Sequence, residues 1–273
     1  MITVRPPAVA GLFYSADSQR LTENIEQLLG AAQTHKSIPK ALIVPHAGYT
    51  YSGAIAASGY VTLCSFAERI RRVILLGPAH HIAVRGLALP DVDAFATPLG
   101  RVRVDTAIIN RIAHLPQLTI SARAHALEHS LEVQLPFLQS TLTDFSILPL
   151  VVGMTSAEEV AEVLGYLWGS EETLIIVSSD LSHYLPYRLA QREDNETALS
   201  ILQLRQSIDQ GQACGAVPIN GLMIAARRHH LTPHLLDLRN SGDTGGSPDQ
   251  VVGYGAFAFT LPHSSSGNTE YAA

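Results

Sequence analysis

The sequence predicts a single α/β domain with a mainly parallel or mixed central sheet that is flanked by helices. Three short apolar runs, at residues 41–44, 73–76 and 174–177, consist mainly of leucine and β-branched residues. Because these runs are apolar throughout, they are typical of strands that are buried on both faces, as in a parallel sheet. Strand patterns alternate with helical patterns along the chain, which is the order expected of α/β proteins.

Helices are predicted where apolar residues recur every three to four positions behind a capping residue. Asp17 or Ser18 is the expected cap of the first helix, and Ser52 is the expected cap of a second over residues 54–64. Further helices are predicted from Asp105, over 156–168, over 188–206 and in a segment that ends near 228. Further strands are predicted at 86–89, around Phe95, and at 101–104, 145–152, 235–238 and 251–259. The short strands within 86–104 are expected to pair antiparallel to one another.

Composition narrows the class of protein. Only 15% of the 273 residues are charged, against about 25% in average proteins, while 47% are hydrophobic, which fits a large buried sheet. The net charge of −6 without a Lys/Arg cluster argues against nucleic-acid binding, and no apolar run is long enough for a membrane span. With two cysteines and no signal-peptide pattern, we expect a cytoplasmic protein. We predict one domain over residues 1–262 and a disordered tail over 263–273.

Polar residues follow the three apolar strands at the point where each strand ends. His46 and His80 come shortly after the first two strands, and Asp180 and His183 follow the third. Ligands of open α/β sheets bind in the crevice outside the carboxyl ends of the strands, so these side chains are expected to converge there. Because neutral imidazole is the commonest metal ligand in proteins, the pair of histidines predicts a metal site.

Asp180 and His183 share one turn after their strand. Asp180 can orient an imidazole or bind a metal ion, and His183 can act as a general acid or base. The alternative is that Asp180 caps a helix and His183 is exposed. Cys214 precedes a glycine near the start of a helix, a place that lowers the pKa of a thiol. It is a candidate metal ligand or nucleophile, or alternatively a small buried apolar residue.

Residues next to these candidates are assigned supporting roles. His81 is expected either to orient the metal ligands without binding the ion, or to have a purely structural role. Glu128 and His129 open a predicted helix, which Pro136 should kink or shorten. One interpretation is that they orient the metal ligands without binding the ion themselves. The other is that they simply lie at a helix start, where carboxylates complement the helix dipole.

The ordered motifs of the chain resemble the Memo family, also called AmmeMemoRadiSam system protein B. The motifs are AGLFY (10–14), VPHAGY (44–49), LGPAHH (76–81), EHSLE (128–132), SSDLSH (178–183), CG (214–215), NSGD (240–243) and VVGY (251–254). The resemblance implies a fold similar to that of class III extradiol ring-opening dioxygenases. It also implies iron or copper bound by two His and one Cys, at positions that match His46, His80 and Cys214. Asp180 and His183 match further residues of that pocket, and His183 matches the acid/base residue of the dioxygenase relatives.

The cysteine is a departure from the dioxygenases, which have a carboxylate at that place. Two histidines with a carboxylate suit iron(II), whereas a thiolate shifts the preference towards copper or zinc. The expected cofactor is therefore iron(II) or copper, with zinc as the alternative.

Three functions remain open from the sequence. The first is a metal-dependent redox enzyme that resembles the dioxygenases, with a small molecule or peptide in the crevice. The second is a metal- or (phospho)peptide-binding protein without catalysis, and the third is a hydrolase that uses metal-bound water or the Cys214 thiol. The family resemblance also implies Ammecr1-type and radical SAM proteins as partners.

Overall fold

A central sheet with helices packed around it forms the fold. The coordinates are a computed structural model that describes residues 2–34 and 38–261. The predicted tail at 263–273 lies outside the described residues. None of the described helices is both long and apolar enough to cross a membrane.

Twelve strands occur within the described residues, and all belong to one sheet. They are β1 Val4–Arg5, β2 Pro39–Val44, β3 Arg72–Pro78, β4 Leu87–Leu89, β5 Ala94–Thr97, β6 Gly100–Val104, β7 Leu118–Ile120, β8 Ser146–Val152, β9 Thr173–Ser178, β10 His183–Leu185, β11 Thr232–Asn240 and β12 Val251–Thr260.

Ten α-helices and one 3₁₀ helix, Val61–Phe66, complete the described part of the chain. The α-helices are α1 Ser18–Ala31, α2 Tyr49–Tyr60, α3 Thr106–Ile112, α4 Ala122–Ala126, α5 His129–Glu132, α6 Leu135–Thr141, α7 Ala157–Leu167, α8 Tyr187–Leu202, α9 Ala216–Arg228 and α10 Ser241–Thr244.

The sheet is mixed, with a parallel centre. Its order is β1-β5-β6-β8-β3-β9-β2-β12-β10, and β6, β8, β3, β9 and β2 run parallel to one another. β12 is antiparallel to β2, β10 and β11, and β4 pairs antiparallel with β8 and parallel with β7. Every residue of β2 and β9 is buried, so both faces of the sheet centre are covered. The predicted fold class, α/β with a mixed central sheet and flanking helices, is therefore confirmed.

Local capping explains where several helices begin and where one prediction is wrong. Asp17 accepts from the Arg20 amide and caps α1, as expected. The second helix begins at Tyr49 rather than at 54, because the backbone amide of Tyr49 has a partner in the carbonyl of Phe13, which comes from the distant N-terminal segment. Ser52 therefore lies inside the helix, where its hydroxyl donates to the Ala47 carbonyl instead of capping.

The predicted effect of Pro136 is also visible. The helical segment that follows Glu128 is divided into the short helices α5 and α6, and Pro136 lies in the first turn of α6. A proline fits there because the first turn of a helix leaves its amides without intrahelical partners. The short helix α5 packs against β3 and β8.

A buried ion pair fixes the N-terminal segment to α5. Glu132 accepts from Arg5 at 2.6 Å, from the backbone amides of Ala8 and Val9, and from the hydroxyl of Tyr14. Both charged side chains are almost fully buried. Such a pair is worth most when its remaining polar atoms are also satisfied, which is the case for this carboxylate.

We predict that Glu132→Ala lowers the free energy of unfolding by about 3–5 kcal/mol, because it leaves the Arg5 guanidinium buried without a counter-ion. Urea titration followed by circular dichroism measures this loss. Glu26→Ala, which removes an exposed carboxylate from α1, is the matched control and should change stability by less than about 0.5 kcal/mol. Equal effects of the two substitutions would contradict the assigned role of Glu132.

Candidate metal centre

The register of the parallel strands brings the predicted site residues to one edge of the sheet. Val44 of β2 lies beside Ser178 of β9, and Leu76 of β3 lies beside Val177 of β9. The loops after β2, β3 and β9 therefore leave the sheet at nearly the same level. His46, His80 and Asp180 lie in these three loops, as the strand-end pattern predicts.

Three imidazoles form a cluster at this edge. The candidate ligand nitrogens of His46, His80 and His129 all lie within 4.8 Å of one another. The rings of His80 and His129 are stacked with centroids 4.6 Å apart, and the His46 ring lies 5.3 Å and 5.5 Å from them. This arrangement places His129, which the sequence assigns a supporting role, among the groups that could hold a metal ion.

The hydrogen bonds of Ser178 determine which nitrogen of His46 carries the proton. The single hydroxyl proton of Ser178 goes to the Ser130 carbonyl, which can only accept, at 2.5 Å. The hydroxyl oxygen accepts from the amide nitrogen of Gln134 at 2.8 Å and lies 2.9 Å from Nδ1 of His46. Nδ1 must therefore be the donor, which leaves the lone pair of Nε2 free for a metal ion.

His80 is held in the same tautomer by a carboxylate. Nδ1 of His80 lies 2.9 Å from Oε1 of Glu128, and the backbone amide of His80 donates to Oε2 at 2.6 Å. Burial by itself raises the pKa of Glu128. The charge of His80 and the hydrogen bonds from His80 and from the Ser130 amide outweigh this effect, and they hold the pKa well below its ordinary value. An ionised carboxylate can only accept, so Nδ1 of His80 is the donor, and in the neutral imidazole Nε2 presents a lone pair.

Gly77 allows this contact between β3 and α5. A Cβ atom at Gly77 would lie 2.6 Å from Oγ of Ser130 and 2.9 Å from a methyl group of Leu131. A larger residue at this position would therefore require Ser130 and Leu131, next to Glu128 and His129, to move.

Cys214 approaches the cluster from the start of α9. Its Sγ lies 3.4 Å from Nε2 of His46 and 3.7 Å from Oγ of Ser179. Gly215 permits this approach, because a Cβ there would lie 2.6 Å from Cβ of Ser179. Metal–sulfur and metal–nitrogen bonds of about 2.3 Å and 2.0–2.1 Å at a tetrahedral angle place the two ligand atoms about 3.5 Å apart. The observed separation thus fits a shared ion.

The thiol is protonated at neutral pH when no metal is bound. Burial, together with the charge of Asp180, raises the pKa of Cys214 to about 12. These two effects outweigh the expected influence of the helix start. A bound cation reverses this balance, since a coordinating thiol loses its proton.

Asp180 fixes the loop that carries His46. Its Oδ1 accepts from the His46 amide at 2.7 Å, and the Ala47 amide also donates to this carboxylate. Burial raises the pKa of Asp180 despite these donors. The side chain lies in the loop after β9 rather than capping a helix.

His183 faces a cavity beside the cluster. Its Nδ1 lies 2.8 Å from the Leu181 carbonyl, which can only accept, so Nδ1 carries a proton and Nε2 is free to accept one. The cavity has a volume of about 610 Å³, and His46, His80, His129 and Asp180 also line it. His81 is exposed, with its ring 5.9 Å from that of His129, and lines a second cavity that Cys214 also borders.

Sequence patterns do not identify Ser178 and Gln134, although they set the tautomer of His46. In the sequence, Ser178 is only the first residue after the predicted strand 174–177, and Gln134 is only a polar residue within the helix predicted from Glu128. Their role depends on contacts between segments far apart in the chain. A buried polar side chain at a strand end is the one signal that could have drawn attention to Ser178.

Comparison with known proteins assigns the family. A family model described as Memo-like protein matches residues 5–258. The chain belongs to the Memo family. The MEMO1 family protein of Aquifex aeolicus is 37% identical over 266 residues, which cover 92% of this chain and 97% of that protein.

Other Memo relatives agree with this assignment, and one solved structure has a similar fold. A MEMO1 family protein of Sulfolobus acidocaldarius is 36% identical over 92% of this chain and 97% of its own length, and one of Metallosphaera sedula is 33% identical over 94% and 99%. The crystal structure of the uncharacterized protein JW3007 from Escherichia coli K12 superposes with a TM-score of 0.54 at 13% identity. The superposition covers 80% of this chain and 98% of the Escherichia coli chain. This last likeness concerns the fold alone.

We predict that the metal-free protein loses stability as the pH falls below about 6.5. Burial, with the charge of His80, lowers the pKa of His46 to about 3, whereas a histidine in the unfolded chain takes up a proton near pH 6.5, about its ordinary pKa. Between these values only the unfolded state is protonated, so His46 contributes a slope of about 1.4 kcal/mol per pH unit.

Urea titrations of the metal-free wild type and His46→Asn between about pH 6 and 4.5 isolate this contribution, because the other titrating groups are common to both proteins. The stability of the variant should depend less steeply on pH, by the same 1.4 kcal/mol or so per pH unit. Parallel curves for the two proteins would show that His46 is not held neutral in the folded state.

Proposed function

We propose that this protein holds a transition-metal ion with His46, His80 and Cys214 and acts as a dioxygenase-like redox enzyme on a ligand in the adjacent cavity. The observation that carries this proposal is the pair of imidazoles whose Nδ1 protons are donated to Ser178 and Glu128. Both Nε2 lone pairs are thereby available to one ion. Proteins orient a metal-binding histidine by a hydrogen bond from the ring nitrogen that does not bind the metal.

Iron(II) or copper is the proposed metal, and zinc is the alternative. Two imidazoles and one thiolate form a softer donor set than the two histidines and one carboxylate typical of iron(II) oxygenases. When bound, an iron or copper ion would supply a redox centre able to exchange electrons with an organic ligand and dioxygen. His129 lies close enough to add a further donor or to replace the cysteine.

Proton handling is assigned to His183, supported by Asp180. With Nδ1 donating to the Leu181 carbonyl, Nε2 of His183 can accept a proton from a ligand hydroxyl in the cavity and return it later. Asp180 lines the same cavity and accepts from the backbone amide of His46, so it supports the loop that carries this histidine. These roles require a ligand that carries an acidic hydroxyl.

The two alternative functions are less well supported. A hydrolase that uses the Cys214 thiol needs a thiolate, but burial and Asp180 raise the pKa of this thiol to about 12. A binding protein without catalysis would not need a fourth histidine, His183, facing the cavity with a free Nε2. Turnover measurements decide between the enzyme and the binding protein.

We predict that His46→Ala, His80→Ala and Cys214→Ala each lower metal affinity at least about tenfold, since each removes one ligand. The measurement is metal content by mass spectrometry after loading anaerobically purified protein with iron(II), copper(I) or zinc(II). His129→Ala should retain the metal. His114→Ala removes an exposed histidine of the chain and serves as the matched control.

The variant pair Cys214→Ala and His129→Ala distinguishes the two possible ligand sets. Loss of metal in the His129 variant and retention in the Cys214 variant would replace the proposed set by three imidazoles. Full metal content in both His46→Ala and His80→Ala would exclude a metal site at this edge of the sheet.

We predict metal-dependent dioxygen uptake with catechols, measured with an oxygen electrode on metal-loaded protein. His183→Ala should reduce the rate by about 10²–10⁴-fold, the usual contribution of a general acid–base residue, while metal content stays unchanged. Saturable binding of a catechol without any oxygen uptake would favour the non-catalytic binding protein.

A further inference from the structure

The segment that carries His183 is not held by regular strand pairing alone. His183 begins the short strand β10, where it pairs with Val252 of β12, but the register shifts before Leu185. The residue at this irregularity, Tyr184, has a φ of 57°, a left-handed conformation that bulky residues rarely adopt. Such a conformation persists only where the surrounding structure imposes it, so contacts from other elements must hold this segment.

These contacts come from β12 and α8. The backbone of Gly253 in β12 donates to the Ser182 carbonyl and accepts from the Leu181 amide, both at 2.8 Å. In addition, Oδ1 of Asp194 in α8 accepts from the Ser182 amide at 3.0 Å. Both polar groups of the Ser182 backbone are therefore fixed at the position directly before His183.

The carboxyl group of Asp194 lies in a tight, buried place. A Cβ at Gly253 would lie 2.1 Å from Oδ2 and 2.4 Å from Oδ1 of Asp194, so only a glycine leaves room for this carboxyl group. Burial raises the pKa of Asp194, whereas the hydrogen bonds from Ser182 and the charge of His183 lower it. The chain thus places a polar group within electrostatic reach of His183 although its burial is unfavourable.

The tautomer of His183 depends on the same backbone. Nδ1 of His183 donates to the carbonyl of Leu181, only two residues earlier, at 2.8 Å. A ring nitrogen reaches a carbonyl so close in sequence only when the backbone between them keeps one conformation. If this backbone were free to move, the hydrogen bond would break and the proton would be shared between the two ring nitrogens.

We propose that Asp194 is a positioning residue for His183. By holding the Ser182 amide, it keeps the imidazole in the tautomer whose Nε2 accepts a proton in the cavity. Asp194 is not among the described residues that line this cavity, so it acts through the backbone of the loop rather than on a ligand. The inference deepens the proposed function and rests on it for the use of that proton, but the hold on the tautomer needs no bound metal.

Nitrogen NMR of the histidine ring tests this role directly. In metal-free protein labelled with ¹⁵N-histidine, at about pH 8.5, an imidazole of ordinary pKa is neutral, and the chemical shifts show which ring nitrogen carries the proton. His183→Ala identifies the signals. We expect a single tautomer, protonated at Nδ1, in the wild type and a mixture of both tautomers in Asp194→Ala. Asp194→Asn, whose side-chain oxygen still accepts from the Ser182 amide, should keep the wild-type tautomer.

Two further variants separate positioning from general loss of stability. Thr197 is buried one turn later on α8, and its hydroxyl donates to the Glu193 carbonyl, so Thr197→Ala disturbs the same helix and should leave the His183 signals unchanged. Gly253→Ala displaces the carboxyl group of Asp194 without removing it and should reproduce the mixture of tautomers.

The outcomes that would overturn the inference are specific. They are wild-type signals in folded Asp194→Ala or, should that variant not fold, in Gly253→Ala. Equal disturbance in Asp194→Asn and Asp194→Ala, or a mixture of tautomers in Thr197→Ala, would also overturn it.

Oxygen uptake with catechol separates this inference from the proposed function. In metal-loaded protein, Asp194→Ala should lower kcat about 10–100-fold, as expected for a misplaced proton acceptor, while KM and metal content stay unchanged. A mixture of tautomers in Asp194→Ala without any oxygen uptake by the wild type would refute the proposed enzyme and leave the positioning role in place. Wild-type tautomer and kcat in Asp194→Ala would refute the positioning role and leave the metal site in place.

Discussion

The register between β2, β9 and β3 is the constraint on which the rest of the site depends. Because Val44 pairs with Ser178 and Leu76 with Val177, three loops leave the sheet at one level and their side chains converge. A shift of one residue in either pairing would turn the strand residues towards the opposite face. A shift between β2 and β9 would also separate His46 from Ser178, whose hydroxyl fixes the tautomer of that imidazole.

Arg5 and Glu132 extend this organisation to the N-terminal segment. Their ion pair ties β1 to α5, and the same segment then provides Phe13, whose ring packs on His129 and whose carbonyl accepts from the start of α2. One side of the ligand cavity is therefore built by residues more than 100 positions away from α5. Fold stability and the shape of the site are coupled through this contact.

Sequence patterns could predict the positions of His46, His80, Asp180 and His183, because buried parallel strands are recognisable and place their following residues at one edge. They could not predict that His129 joins the imidazole cluster. Its place depends on the close approach that Gly77 allows between β3 and α5, which is a long-range packing contact. The start of α2 was mispredicted for a similar reason, since the partner of its first amide is Phe13, far away in the sequence.

X-ray absorption fine structure of the zinc-loaded protein tests the central claim, a metal held by two imidazoles and the Cys214 thiolate, most directly. The account predicts one sulfur neighbour at about 2.3 Å and nitrogen neighbours at about 2.0–2.1 Å. The sulfur contribution should disappear in Cys214→Ser. A wild-type spectrum with nitrogen and oxygen neighbours alone would contradict the account.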